Sequence, residues 1–200
     1  FTALMRVEPA LKDAPDAKEL TNCRGEIDVD HVSFSYEGTE GEGVLHDVSV
    51  HVTPGEMLAI VGPSGGGKST LCQLIPRFYE VSEGAIRIDG EDVRSLTQTS
   101  LHRAIGVVQQ DVFLFADTVR ENIRYGRPDA TDEEIVEAAK RAEIYDDIMA
   151  MPHGFDTYVG ERGTMLSGGQ KQLLNLASVM AMQPELSLIH ISEPTRLRCI

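Results

Sequence analysis

One glycine-rich run of eight residues, Gly62-Pro63-Ser64-Gly65-Gly66-Gly67-Lys68-Ser69, constrains this 200-residue chain more than any other stretch. Its spacing satisfies the pattern G-x-x-x-x-G-K-[ST]. Glycines let successive backbone N–H groups converge on phosphate oxygens at positions where a Cβ would collide. Lys68 has the reach to meet the outer phosphates, and the Ser69 hydroxyl can ligate a Mg²⁺ ion that bridges them. The run, called the phosphate loop below, therefore predicts a nucleotide-binding site.

The residues on either side of the phosphate loop have the pattern that such a motif requires. The apolar run Met57–Val61 precedes it and predicts a short buried strand. Leu71, Leu74 and Ile75 follow it at helical spacing and predict a helix. This order of strand, loop and helix distinguishes a nucleotide site from a chance glycine-rich turn.

The composition of the chain excludes several classes of protein and of binding partner. A formal net charge of −14 argues against nucleic acid, because binding to DNA or RNA relies on clustered lysine and arginine. Three cysteines, Cys23, Cys72 and Cys199, lack the number and spacing of a disulfide framework or a zinc site, which suits a reducing cytoplasm. No apolar run approaches the roughly 18 to 20 residues that cross a bilayer, and no signal-peptide pattern is present. We therefore expect a globular domain without a membrane span of its own.

Strand and helix patterns alternate along the chain. Hydrophobic alternation and turn residues predict four further strands, which lie within 27–36, 48–52, 85–88 and 105–108. The first of these alternations shifts once, and Glu37 to Gly43 is an acidic, glycine-rich turn. From Thr131 the pattern changes to helix, with a capping-box start and an apolar face that includes Ile135 and Ala139.

A second glycine-rich helix entrance follows about a hundred residues after the phosphate loop. It reads Leu166-Ser167-Gly168-Gly169-Gln170, and apolar residues continue at helical spacing to Met182. With this pair of motifs, the chain resembles the nucleotide-binding domain of ATP-binding-cassette (ABC) transporters, and most closely the exporters that fuse this domain behind their own membrane domain. The likeness extends from Phe1 to Glu185 and includes Glu121-Asn122-Ile123-Arg124-Tyr125-Gly126 and Gly160-Glu161-Arg162-Gly163.

The resemblance implies an α/β fold with three parts. A P-loop NTPase core, built as a mixed sheet with flanking helices, would carry an antiparallel β-subdomain and a helical insert at about 111–165. Residues 1–24 would be a linker from a missing N-terminal transmembrane domain, and 25–185 a partial ATP-binding domain that is incomplete at its C-terminus. Residues 186–200 would lie outside the fold.

The resemblance also assigns binding residues for ATP and Mg²⁺. Tyr36 would stack on the adenine ring, because an aromatic ring offers a flat contact area. Ser69 and Gln110 would bind Mg²⁺, and Gln110 would also sense the attacking water while its loop touches the membrane domain; Gln109 is the competing choice. The residues of this chain that would bind its own nucleotide are Tyr36, Gly62, Pro63, Ser64, Gly65, Gly66, Gly67, Lys68, Ser69, Thr70 and Gln110.

The second glycine-rich motif, called the signature below, would serve a different nucleotide. Its residues Leu166, Ser167, Gly168, Gly169 and Gln170 would contact the γ-phosphate held at the phosphate loop of a second, head-to-tail nucleotide-binding domain. ATP would close the pair and hydrolysis would reopen it, so that domain motion passes to the membrane domain. The Glu161-Arg162 segment would lie near that coupling surface.

The C-terminal region departs from the family. ABC domains need a strand ending in Asp-Glu after the signature helix, where the aspartate holds Mg²⁺ and the glutamate polarises the attacking water. By the family's spacing these places fall on His190 and Ile191. Leu186 to Arg196 instead looks like the in-frame translation of a transposase-based sequencing-library adapter. The rival interpretation is an ABC domain whose hydrolytic strand has degenerated. Under both interpretations, this chain is expected to be unable to hydrolyse ATP.

The expected parent is an exporter that couples ATP binding and hydrolysis to transport across a membrane, with this domain on the cytoplasmic face. Two alternatives remain at this stage. One is an ATP-binding subunit that docks onto an importer's permease, and the other is a soluble ABC ATPase without membrane domains. The segment from Phe1 to Leu20 resembles the exit from a fused membrane domain, which argues against the importer subunit. The sequence contains no tandem ABC domain and no long coiled-coil insert, which argues against the soluble ATPase.

Overall fold

The computed structural model of the chain describes Pro9 and residues 11–36, 43–108 and 112–189. Contacts between Cα atoms divide the chain into two compact units, with the boundary between Ala104 and Ile105. Unit 1 contains the phosphate loop, and unit 2 contains the signature. Expectations for Glu37 to Glu42, Gln109, Gln110, and the tail from His190 onward concern residues outside this description.

Unit 1 is built on an antiparallel sheet of four strands in the order β2-β1-β3-β4. The strands are β1 (Ile27–Phe34), β2 (Leu45–Val52), β3 (Glu83–Ile88) and β4 (Glu91–Asp92). Side chains on one face are buried, among them Val29 and Ile86. The antiparallel β-subdomain expected from the sequence is therefore present.

The shift in alternation within β1 has a structural cause. The pairing register between β1 and β2 slips between Val29 and Val32, and His31 in this interval has a φ of 49°. A bulge inserts one extra residue and returns the following side chains to the buried face. Val29 and Val32 are consequently both buried although they lie three positions apart.

The described part of unit 1 also contains two α-helices. Helix α1 (Lys68–Leu74) begins directly after the phosphate loop, and Leu71 and Leu74 on it are buried, as their spacing predicts. Helix α2 (Gln98–Ala104) follows a 3-10 turn at Val93–Ser95. Asp89-Gly90 closes the β3–β4 hairpin with φ values of 51° and 83°, the backbone that a two-residue type I′ turn requires.

Described residues before β1 make hydrogen bonds to other parts of unit 1. Lys18 pairs with Leu96 in a β-bridge, and the Leu20 N–H donates to Ser100 Oγ at 2.9 Å. Closer to β1, the N–H groups of Arg24 and Glu26 both donate to the Asp89 carboxylate. These bonds hold the described residues from Lys18 to Glu26 against the β3–β4 turn and α2.

The prediction of a buried strand at Met57–Val61 is wrong for this structure. The segment carries no strand pairing among the described residues, and Met57 and Val61 are 95% and 87% exposed. A parallel strand needs a hydrogen-bonded neighbour to satisfy its backbone and cover its side chains. Within the described part of unit 1, the four-stranded sheet does not extend to this segment.

Unit 2 is mainly helical. Its helices are α3 (Val119–Arg124), α4 (Asp132–Arg141), α5 (Tyr145–Met149) and α6 (Gly168–Met182). Helix α6 packs against α3, α4 and strand β5 (Ile105–Val108), so that Leu174 and Ala177 on it are buried in a cluster with Ile123 and Ile135. The helical pattern predicted from Thr131 and from the signature is confirmed.

Strand β5 pairs in parallel with β6 (Leu186–Ile189). Gly106 on β5 lies so close to α6 that an added Cβ would be 2.5 Å from Val179 Cγ1. This close approach lets the short sheet lie against the helix. The stretch assigned to the tail thus begins with four residues that have strand pairing.

Helix α4 offers a test of the capping prediction. The Thr131 hydroxyl accepts the Glu134 N–H at 3.3 Å, and a Glu134 carboxylate oxygen accepts the Thr131 N–H at 2.8 Å. Thr131→Ala removes one half of this pair and should lower the free energy of unfolding by about 1 kcal/mol in urea titrations. Glu137→Ala, at an exposed position of the same helix, serves as the control and should change it by less than about 0.5 kcal/mol.

Candidate nucleotide-binding site

The phosphate loop of unit 1 is closed by the side chain of Lys68. Its Nζ donates to the carbonyl oxygens of Pro63 at 2.7 Å and Gly62 at 3.0 Å, so the amine spans the loop entrance. The Gly66 N–H also bonds back to the Pro63 carbonyl at 3.2 Å. These contacts place a positive charge within the loop, where an incoming anion could replace the two carbonyls as its partner.

Gly67 is required by the local structure. It has a φ of 79°, and a Cβ at this position would lie 2.5 Å from Leu45 Cδ2 and 2.9 Å from the Val44 carbonyl oxygen. The positive φ is a conformation that most L-residues avoid, and the two short distances leave no space for a side chain of any size. The glycine therefore allows strand β2 to approach the start of α1, directly before Lys68 and Ser69.

Tyr36 lies beside the same helix. Its hydroxyl is 3.1 Å from Thr70 Oγ1 and 3.3 Å from Gln73 Oε1, and both partners are on α1. The predicted base-stacking residue and the predicted phosphate-binding residues therefore belong to one local structure. Of the predicted set, Tyr36, Lys68, Ser69 and Thr70 are brought together within unit 1.

The signature begins helix α6 in unit 2. Ser167 is the N-cap: its hydroxyl accepts the Gln170 N–H at 3.2 Å, while Gln170 Oε1 accepts the Ser167 N–H at 3.0 Å. This capping box explains why serine and glutamine stand three residues apart. Ser167, Gly168 and Gly169 are all exposed.

The glycines of the signature differ from Gly67. A Cβ added at Gly168 or Gly169 would meet nothing within 4 Å, and neither residue has a positive φ. Nothing in the described surroundings of these two residues requires glycine. Two adjacent glycines at a helix entrance, exposed and sterically open, provide a surface that another molecule can approach closely.

No metal-binding cluster is built from ionisable side chains in the described ranges. Neither unit's described residues hold three His, Cys, Asp or Glu groups placed to bind an ion. The predicted Mg²⁺ ligands are a hydroxyl and an amide, which supply neutral oxygen donors of the kind that hard cations accept. Ser69, at the second position of α1, has the right chemistry, while Gln110 lies outside the described residues.

Sequence reasoning assigned no structural role to two residues that organise these regions. Asn122 in unit 2 is 4% exposed, its amide donates to the carbonyls of Phe115 and Thr118, and its carbonyl accepts the Phe115 N–H. This side chain therefore clamps the loop before α3. Tyr79 in unit 1 contacts Tyr36, with ring centroids 5.2 Å apart. The structural role of a buried asparagine, or of an aromatic residue after a helix, cannot be predicted from a single sequence.

Comparison with known proteins places this arrangement in a family. The ABC transporter family matches residues 45–196. A Bacillus subtilis (strain 168) protein described as an uncharacterized ABC transporter ATP-binding protein, YwjA, is 49% identical over 94% of this chain and 32% of its own length. The structure of a bacterial Atm1-family ABC exporter with ATP bound matches with a TM-score of 0.89 and 44% identity, over 94% of this chain and 33% of that one.

The chain therefore belongs to the ABC transporter family. It spans about a third of the length of the relatives it matches. The structural match confirms the predicted fold class, that of an ABC ATP-binding domain with a P-loop NTPase core. Over the described residues, none of the helices is both long enough and apolar enough to span a bilayer.

The two kinds of glycine should respond differently to the same substitution. Gly67→Ala should lower the free energy of unfolding by roughly 1 to 3 kcal/mol, since it combines a positive φ with a collision. Gly169→Ala should leave it unchanged or raise it by up to about 1 kcal/mol, because alanine favours the helix and meets no neighbour. Urea unfolding of both variants tests this contrast, and equal destabilisation would contradict it.

Proposed function

We propose that this chain is the ATP-binding domain of an ABC exporter, in which ATP binding and hydrolysis drive transport of a substrate across a membrane. The observation that carries the proposal is the contrast between Gly67, where backbone and packing require glycine, and the signature glycines Gly168 and Gly169, where they do not. One loop is shaped by the packing of its own unit at Gly67, and the other is exposed and open at Gly168 and Gly169. This is the pattern expected when one surface binds a nucleotide and another contacts a nucleotide held elsewhere.

In the phosphate loop, the chain's own groups supply binding and orientation. The Lys68 amine would exchange the carbonyls of Gly62 and Pro63 for phosphate oxygens, a change from neutral to charged acceptors that strengthens each hydrogen bond. Ser69 would ligate Mg²⁺, which when bound neutralises phosphate charge. Tyr36 would stack on the adenine while its hydroxyl remains bonded to α1.

The signature would act on a second domain of the same kind. Ser167 and the N–H groups of Gly168 and Gly169 lie exposed at the entrance of α6, a helix of 15 residues whose N-terminus favours anions. A head-to-tail pair would bring them to the γ-phosphate bound by the partner's loop. ATP would then join the two domains, and its loss would release them.

An exposed aromatic surface supports contact with a membrane domain. Phe113, Phe115 and Tyr125 are 62%, 39% and 66% exposed, and they line a cavity of about 270 Å³ with Asn175 and Ser178 of α6. Contiguous exposed aromatic rings are typical of a protein-interaction surface. In the sequence, Phe113 follows shortly after Gln110, which is expected to contact the membrane domain at the cytoplasmic face.

The exporter assignment is preferred to its alternatives for one reason. The exporter structure matches 94% of this chain at 44% identity with a TM-score of 0.89. An importer subunit or a soluble ABC ATPase would share the phosphate loop and the signature but would not require the segment from Phe1 to Leu20. We further propose that residues 1–24 are a linker, that 25–185 form the ATP-binding domain with its helical insert at about 111–165, and that 186–200 derive from adapter sequence.

Binding of ATP can be tested through Lys68. Hydrogen bonds to charged groups contribute about 1.5 to 3 kcal/mol each, so Lys68→Ala should weaken Mg-ATP binding roughly 10- to 100-fold. The measurement is titration of the purified chain with fluorescently labelled ATP. Lys140→Ala, which removes an exposed lysine from α4, is the matched control and should bind as the unmodified chain does. Equal affinity in the Lys68→Ala variant and the unmodified chain would refute the site.

Hydrolysis is expected to be absent. The positions where the family carries the Mg²⁺-binding aspartate and the catalytic glutamate hold His190 and Ile191, and neither side chain can polarise water as a carboxylate does. Phosphate release from ATP by the purified chain should therefore equal that of the Lys68→Ala variant. A Lys68-dependent release well above this background would show that another carboxylate acts as the base.

A further inference from the structure

Three aromatic rings meet beside the helix that follows the phosphate loop. The Tyr36 ring lies edge-on to Phe34, with centroids 4.9 Å apart and an interplanar angle of 85°. It lies equally edge-on to Tyr79, at 5.2 Å and 89°, and Tyr79 also contacts Phe34 at 5.8 Å. Edge-to-face pairs prefer a defined orientation, so each ring restricts the rotation of the other two.

The Tyr36 hydroxyl connects this aromatic group to α1. It donates to Gln73 Oε1 at 3.3 Å, and it lies 3.1 Å from the hydroxyl of Thr70. Thr70 is only 6% exposed, so its hydroxyl depends on a protein partner. Thr70 and Gln73 are one helical turn apart, and the same helix begins with Lys68 and Ser69. The ring of Tyr36 is therefore tied to the element that carries the phosphate-binding side chains.

Tyr79 reaches Tyr36 through the turn that ends α1. Arg77 has a φ of 57°, its N–H donates to the Leu74 carbonyl at 2.9 Å, and the Phe78 N–H donates to the Gln73 carbonyl at 3.0 Å. This pair of bonds is the Schellman pattern, which reverses the chain after a helix. The Arg77 side chain is itself only 8% exposed and is paired with Glu80. The turn therefore holds the backbone before Tyr79 in a defined path.

We propose that Tyr79 and Gln73 are positioning residues for recognition of the nucleotide base. They hold the Tyr36 ring in one orientation against α1, the helix that begins with Lys68. The base and the phosphates of one nucleotide would therefore bind to groups whose relative positions are already set before binding. This inference rests on the proposed function, because it requires that Tyr36 contacts the base. A ring that must first be ordered would bind the base less tightly, while phosphate binding would be unaffected.

The test compares a ligand that has a base with one that lacks it. Affinities for Mg-ATP and for Mg-tripolyphosphate are measured by calorimetry on the unmodified chain and on Tyr79→Leu, Tyr79→Phe and Gln73→Leu. We expect Tyr79→Leu and Gln73→Leu to weaken ATP binding roughly 2- to 10-fold, the range for ordering one side chain on binding, and to leave tripolyphosphate affinity unchanged. Tyr79→Phe keeps the ring and should bind both ligands like the unmodified chain.

Other outcomes overturn the proposal in distinguishable ways. Equal weakening for both ligands would mean that Tyr79 supports the fold of the loop, and unchanged ATP affinity would mean that it positions nothing. Lys68→Ala, which should weaken both ligands, reports separately on the proposed function. If Tyr79→Leu fails to fold by thermal unfolding, Tyr36→Phe, which deletes a single oxygen, makes the same test of the hydroxyl link.

Discussion

The contact between Gly67 and strand β2 is the constraint on which the candidate nucleotide site depends. Leu45 and the Val44 carbonyl occupy the space in which a side chain at position 67 would stand. Because the backbone there is left-handed, the chain leaves the loop and enters α1 within one residue. Lys68 and Ser69 thereby emerge at the loop itself, where their side chains can meet an anion. The antiparallel sheet thus acts as the support against which the phosphate loop is shaped.

The signature is held in place by a different set of interactions. Its helix α6 is anchored by its buried face, where Leu174 and Ala177 pack in the core of unit 2, and by the Ser167–Gln170 capping box at its start. These interactions account for the serine, the glutamine and the apolar residues. The two glycines have no such role among their described neighbours.

In each unit, buried contacts hold a segment that carries exposed aromatic or binding residues. In unit 1, aromatic contacts and two hydroxyl bonds hold Tyr36 against α1. In unit 2, the buried Asn122 amide makes three bonds to the backbone of the loop before α3, next to the exposed rings of Phe113 and Phe115. Polar groups buried in this way are satisfied by the backbone, which fixes the loop without requiring a large core.

The sequence by itself determined the family resemblance and much of the local structure. The capping box at Thr131 and the helix after the signature depend on interactions between near neighbours, and the shift within β1 is visible in its hydrophobic alternation. Only the tertiary structure decided that Met57–Val61 is exposed, that Tyr79 contacts Tyr36, and that Gly67 is required while Gly169 is sterically open. These properties depend on which distant segments supply hydrogen bonds or occupy space, and an apolar run, an aromatic residue or a glycine looks the same in the sequence whether or not those neighbours are present.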